Sequence, residues 1–84
     1  MEKELERHLT NLIRENTTKD VLDILRTSSE PETSALLNLL YVKTVKNLCD
    51  SLSLMTSMLG VSQSELRDFI DVQVKSTIEE LWNR

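Results

Sequence analysis

Apolar residues recur at spacings of three and four along most of the chain, and this periodicity is typical of amphipathic α-helices. Four segments show it, over residues 2–15, 18–27, 31–59 and 62–82. No segment alternates strictly between apolar and polar positions, and glycine and proline occur only once each. We therefore predict an all-α fold, a small bundle of three to four helices in one domain spanning residues 1–84.

Helix-capping residues set two of the predicted boundaries. The segment Asn16–Asp20 is rich in turn-forming residues and predicts a break between the first two helices, with Thr17 as the N-cap of the second. Ser29 and Glu32 have the spacing of a capping box. Pro31 falls in the first turn of the third helix, where its missing N–H costs nothing.

The predicted third helix is long for a chain of this size. No stop signal appears before Gly60, so the helix would hold about 28 residues and extend roughly 40 Å. Directly after Gly60, Ser62 and Glu65 repeat the capping-box spacing and predict the start of the fourth helix.

This third helix carries a heptad-like apolar seam, whose members alternate spacings of four and three residues and fall within an arc of roughly 80°. The seam consists of Leu37, Tyr41, Val45, Leu48, Leu52, Met55 and Leu59. It is bordered by Leu36, Leu40, Leu54 and Met58 on one side and by Val42 and Cys49 on the other. The apolar arc therefore covers more than half of the helix circumference.

So wide an apolar arc needs more than one neighbouring helix to cover it. The predicted first helix offers only a narrow stripe, and the second is barely two turns long. Self-association, with a dimer favoured, or docking of another protein's helix would complete the burial. The alternative is that the chain's own helices suffice.

The overall charge is acidic, with a formal net charge of -4 and a pI of about 4.9. This sign opposes binding to the phosphates of nucleic acid, and it favours basic partners. The N-terminal segment lacks the apolar run of a signal peptide, and no segment has the roughly 20 apolar residues of a membrane span. We expect a cytoplasmic protein that does not enter membranes.

Residues that could carry catalysis are scarce. Cys49 is the only cysteine and His8 the only histidine, so one chain can form neither a disulfide nor a Cys/His metal site. Cys49 lies on an apolar helical flank, where a buried, unreactive thiol is the usual outcome. A single glycine leaves no phosphate-binding loop. We expect no enzymatic activity, no cofactor and no metal.

Residues 52–71 resemble a helix-turn-helix of the phage-repressor type, and the stretch Leu59-Gly60-Val61-Ser62-Gln63-Ser64 carries the resemblance. That family places a small residue four before the glycine and apolar residues beside it and six and nine after it. The matching positions here are Thr56, Leu59, Val61, Leu66 and Phe69. The resemblance implies that Gln63, Ser64 and Arg67 lie on the exposed face of a recognition helix, where glutamine pairs with adenine and arginine with guanine.

Two functions remain open at this point. The first is a non-enzymatic protein interaction or regulatory protein that oligomerises through the apolar face of its third helix. Trp82 is expected at the rim of the core, with a role as a partner anchor as the alternative. The second function is that of a DNA-binding transcriptional regulator that reads DNA with residues 62–71.

Overall fold

The computed structural model describes residues 1–83, and these form three long helices and one short helix. The helices are α1 (Lys3–Thr27), α2 (Glu30–Leu52), α3 (Thr56–Leu59) and α4 (Gln63–Trp82), with a 3₁₀ turn at Ser53–Met55 between α2 and α3. No strand occurs in the described part of the chain, and the predicted all-α class is confirmed. Arg84, the last residue of the predicted domain, lies outside the described residues.

The predicted break between the first two helices is wrong, because α1 continues through Asn16 and Thr17. Thr17 does not cap a helix. It lies in the buried stripe of α1, which consists of Leu9, Ile13, Thr17 and Val21 at a spacing of four residues. Packing along this stripe outweighs the preference of asparagine and threonine for helix ends, since tertiary burial commonly overrides local propensity.

The predicted third helix ends earlier than expected, at Leu52 instead of residue 59. Hydroxyl groups explain the interruption. Ser53 Oγ donates to the carbonyl oxygen of Asp50 at 2.9 Å, and Thr56 Oγ1 donates to that of Ser53 at 2.8 Å. Such bonds three residues back compete with the α-helical ladder and favour a 3₁₀ turn. Hydroxyl chemistry therefore separates α2 from α3.

The predicted caps are partly confirmed. Ser62 is the N-cap of α4, and its Oγ accepts a hydrogen bond from the Glu65 backbone N–H at 3.1 Å. Ser29 is the N-cap of α2, as expected, but its hydroxyl makes no capping bond. The buried Thr33 instead donates to the Ser29 carbonyl oxygen at 2.8 Å, and its hydroxyl lies 2.8 Å from that of Ser28. Side chains on both sides of the turn therefore stabilise the start of α2.

Polar contacts between the long helices show their relative directions. The Met1 ammonium group donates to Glu65 at 3.0 Å, and this bond raises the pKa of the ammonium group. Arg14 in the middle of α1 pairs with Glu80 near the end of α4, so α1 and α4 are parallel. Tyr41 donates to Asp71, near the middle of α4.

The core lies where α4 packs against both other long helices. Its largest cluster consists of Leu9, Ile13, Val61, Leu66, Ile70 and Val74, which come from α1, α4 and the turn before α4. Leucine, isoleucine and valine fill this cluster almost without aromatic residues, as in many helical bundles. Of the described helices, none combines the length and the apolar character needed to cross a membrane.

Replacing Thr17 with valine should raise the free energy of unfolding by about 1 kcal/mol. Thr17 is fully buried, and its Oγ1 has no hydrogen-bond partner among the described residues. Valine keeps the shape of the side chain and removes the desolvated hydroxyl. Urea denaturation measures the change.

Thr77→Val is the matched control for this prediction. Thr77 is 1% exposed, but its hydroxyl donates to the Gln73 carbonyl oxygen at 2.8 Å, so its removal should bring no gain. Equal stabilisation by both substitutions would show that the unpaired hydroxyl of Thr17 is not the cause.

Candidate functional site

The predicted seam lies mostly against the rest of the chain. Leu37 is buried, and five further members, Tyr41, Val45, Leu48, Leu52 and Leu59, are half-buried against the core cluster. Met55 is the one exposed member, at 41% of its full accessibility. Packing within the chain therefore covers most of the seam, and little of it is free for a partner.

Other apolar side chains between residues 36 and 58 face solvent instead. Six of the nine large hydrophobic residues exposed in the described part of the chain lie here. We call them the outer apolar residues: Leu36, Leu39, Val42, Leu54, Met55 and Met58. Leu54 and Met58 are exposed to 85% and 83%, close to full accessibility. This concentration of exposed apolar groups makes the region a candidate interaction surface.

The total surface is also large for the mass. A compact monomer of 9.7 kDa is expected to expose about 5,100 Å². This chain exposes 5868 Å², in keeping with an elongated shape of 43 × 20 × 15 Å. An elongated shape exposes more surface per unit mass than a sphere does, which accounts for the difference.

A groove of about 470 Å³ runs between α2 and α4. It is lined by Tyr41, Val42, Val45, Lys46, Cys49, Asp50, Arg67 and Asp71. The lining mixes aliphatic groups with charges of both signs. Such a surface can contact a peptide or a side chain of a partner, but it has no single charge that would select one ligand class.

The surroundings of Cys49 in this groove favour the neutral form of its thiol. Partial burial raises the pKa of Cys49, and the opposing effect of the nearby Arg67 charge is smaller. Asp50 and Asp71 add to the rise. Because the thiolate is the nucleophilic form of cysteine, this environment suppresses its reactivity. His8 is exposed on α1 and does not line the groove.

Tyr41 and Asp71 form the hydrogen bond that links α2 to α4 at the other end of the groove. The tyrosine hydroxyl donates to Asp71 Oδ1, and this bond raises the pKa of Tyr41, with smaller contributions from desolvation and from the Asp71 charge. The protonated tyrosine is therefore the form that the fold favours.

Titration of Tyr41, the only tyrosine, should show a pKa above the ordinary value of about 10. Because the native pKa is raised, the bond stabilises the fold below pH 10 or so, and this contribution is lost as the pH rises through the native pKa. Phenolate absorbance follows the titration.

Asp71→Ala should return the tyrosine titration towards its ordinary midpoint. Asp68→Ala, a charge removed from the same helix without contact to the hydroxyl, should leave the midpoint where it is in the native chain. Identical midpoints in all three proteins would argue against the bond.

The turn of the helix-turn-helix resemblance is built around Gly60. Gly60 adopts a left-handed conformation with φ 69° and ψ 27°, which favours glycine, and it ends α3. Val61 follows in the core, and its N–H donates to the Thr56 carbonyl oxygen at 3.1 Å. The helix before this turn, α3, has four residues, whereas the resemblance implies a first helix that begins near Leu52.

The three residues that the resemblance assigns to DNA reading all lie near the start of α4. Gln63, Ser64 and Arg67 are exposed, and they line an extension of the groove next to α2, together with Cys49 and Asp50. Their side chains therefore border α2.

Trp82 lies at the end of α4 and is 40% exposed. It borders a shallow depression with Leu25, Ser28, Thr33 and Leu81, next to the turn between α1 and α2. The indole therefore lies at the edge of the bundle and retains surface that a partner could contact.

Sequence reasoning missed Leu39 among the exposed apolar residues. Helical spacing places Leu39 about 60° outside the edge of the apolar arc, on the polar side of α2. An apolar residue isolated on a polar face is the signal that could have identified it. The Tyr41–Asp71 bond joins residues 30 apart in the sequence, and no local pattern indicates it.

Among residues 1–83, no three or more histidine, cysteine, aspartate or glutamate side chains come together so that they could hold a metal ion. Comparisons of the chain with models of protein families, with curated proteins and with solved structures found no match.

Proposed function

We propose that this chain is a non-enzymatic interaction protein that associates with a second copy of itself through the outer apolar residues. The observation that carries the proposal is the exposure of Leu54 and Met58, at 85% and 83%, beside four further exposed apolar residues of the same region. Burial of apolar surface is the main driving force of protein association. Contact with a second copy would remove these side chains from water.

The proposed interface lies at the borders of the seam and not on the seam itself. Because α1 and α4 already cover most of the seam, a partner has more to gain from Leu36, Leu54 and Met58, which the pattern places beside the seam, and from Leu39.

Light scattering over a range of concentrations tests the proposal. The unmodified chain should have the mass of a dimer. The double variant Leu54→Asp with Met58→Asp should be a monomer of unchanged helicity, because its new charges lie in water in the monomer and would be buried unpaired in the dimer.

Val72→Asp is the control, since Val72 is also exposed, to 56%, but lies on α4 outside the outer apolar residues. It should remain a dimer. A monomeric mass of the unmodified chain at every concentration would contradict the proposal.

DNA binding by residues 62–71 is the alternative function, and the charge of α4 argues against it. Among the exposed residues of α4, Glu65, Asp68, Glu79 and Glu80 are acidic, and Arg67 and Lys75 are basic. Carboxylates at such positions repel phosphate. A mass increase with DNA fragments that fades as salt rises, and that substitution of Gln63 and Arg67 by alanine abolishes, would favour the alternative.

A further inference from the structure

The outer face of α2 combines apolar residues with charges in a regular order. Helical spacing places Leu36, Leu39, Lys43 and Asp50 within an arc of roughly 60°, and all four are exposed. Leu54 follows Asp50 by four residues in the 3₁₀ turn and is 85% exposed. Leucine, lysine and aspartate therefore share this face of α2, and an exposed leucine follows in the 3₁₀ turn.

Neither charge in this order forms an ion pair within residues 1–83. Lys43 and Asp50 are absent from every ion pair between described residues. They are seven residues apart, which separates them by roughly 10 Å along the helix axis. Lys43 is therefore available to a partner, and Asp50, which also borders the groove between α2 and α4, remains exposed.

We infer that two copies pair through this face in antiparallel orientation, with Lys43 of each copy opposite Asp50 of the other. This inference rests on the proposed self-association. If the two-fold axis passes between Lys46 and Asn47, reversal of the helix brings residue 43 to the level of residue 50 and residue 39 to the level of residue 54. The same operation therefore matches Lys43 with Asp50 and Leu39 with Leu54.

The antiparallel arrangement is favoured because it places opposite charges of this face, Lys43 and Asp50, across from each other. In an antiparallel pair the two-fold axis is perpendicular to the helices, so each residue lies opposite a different one unless it lies at the axis. In a parallel pair in register, Lys43 would face Lys43 and Asp50 would face Asp50, and like charges at an interface are unfavourable. Lys46 lies at the edge of the arc near the axis, where its long side chain can keep its charge in water.

Reciprocal charge exchange tests the arrangement. Lys43→Glu and Asp50→Lys should each weaken the dimer, raising its dissociation constant at least about tenfold, because each variant places two pairs of like charges in the interface. The double variant Lys43→Glu with Asp50→Lys should restore the dimer. A mixture of the two single variants should form the heterodimer in preference to either homodimer.

The controls separate this inference from the proposed function. Lys75→Glu changes an exposed charge on α4 and should leave the mass unchanged, and circular dichroism checks that every variant is helical. A monomeric unmodified chain would overturn both proposals. A dimer that ignores the single substitutions, or that the double substitution does not restore, would overturn only the antiparallel arrangement. Preferential pairing of Lys43→Glu with the unmodified chain would indicate the parallel arrangement instead.

Cysteine crosslinking provides a second test that does not depend on charge. In a Cys49→Ser background, the variant Leu39→Cys with Leu54→Cys should form covalent dimers under mild oxidation, because the two thiols meet across the interface. Within one chain, residues 39 and 54 are roughly 20 Å apart, beyond the reach of a disulfide. Leu39→Cys alone should remain uncrosslinked. Equal crosslinking of the single variant would overturn the arrangement.

Discussion

Replacing Ile70 with alanine should lower the free energy of unfolding by about 3 kcal/mol. Ile70 is fully buried in the cluster that joins α4 to α1. Truncation removes apolar burial and leaves a cavity that the surrounding helices can close only in part. For a domain of this size the loss corresponds to a fall in melting temperature of about 15 °C.

Thermal unfolding followed by circular dichroism measures this effect at a single protein concentration, since self-association makes the melting temperature depend on concentration. Val72→Ala is the control. Val72 lies two residues further along α4 and is 56% exposed, so its truncation should change the stability by less than about 0.5 kcal/mol. Similar losses in the two variants would contradict the assignment of Ile70 to the core.

Replacing Leu48 with aspartate should unfold the chain at every concentration. Leu48 is half-buried on the inner side of α2 and packs against the core cluster. The substitution removes apolar burial and places a carboxylate against aliphatic side chains without a partner charge. The combined loss of about 3 kcal/mol or more is a large part of the total stability of a small domain.

Leu54→Asp introduces the same charge on the outer side and should leave the fold intact. Leu54 is 85% exposed in the single chain, so only the self-associated form would bury the new carboxylate. Helicity by circular dichroism and mass by light scattering separate loss of folding from loss of association. A folded Leu48→Asp variant that merely dissociates would place the seam in the interface and contradict the packing described above.

These two leucines show how the core side of this region differs from its exposed side. Both lie in or beside the apolar arc that helical periodicity predicts. Periodicity orders the residues around a helix, but it does not say which part of a wide apolar arc the chain's own helices cover. Leu48 is covered because α1 and α4 pack on that side, and Leu54 is left exposed next to the break in the helix.

The stretch around Gly60 predicts local structure correctly but does not identify the function of the turn. The glycine, the cap at Ser62 and the apolar residue between them predict a helix end and a new start, and the structure has both. The same pattern cannot distinguish a DNA-reading turn from an ordinary helix connection, because the difference lies in the neighbouring surfaces. On the exposed side of α4 those surfaces are mainly acidic.

The sequence by itself determined the all-α class, the helix end at Gly60 and the start of α4. These features depend on helical periodicity and on residues close together in the chain. Only the tertiary structure decided that α1 continues through Thr17 and that α1 and α4 cover the seam. Each of these outcomes depends on packing between residues distant in sequence, which outweighs local preferences that differ by about 1 kcal/mol or less.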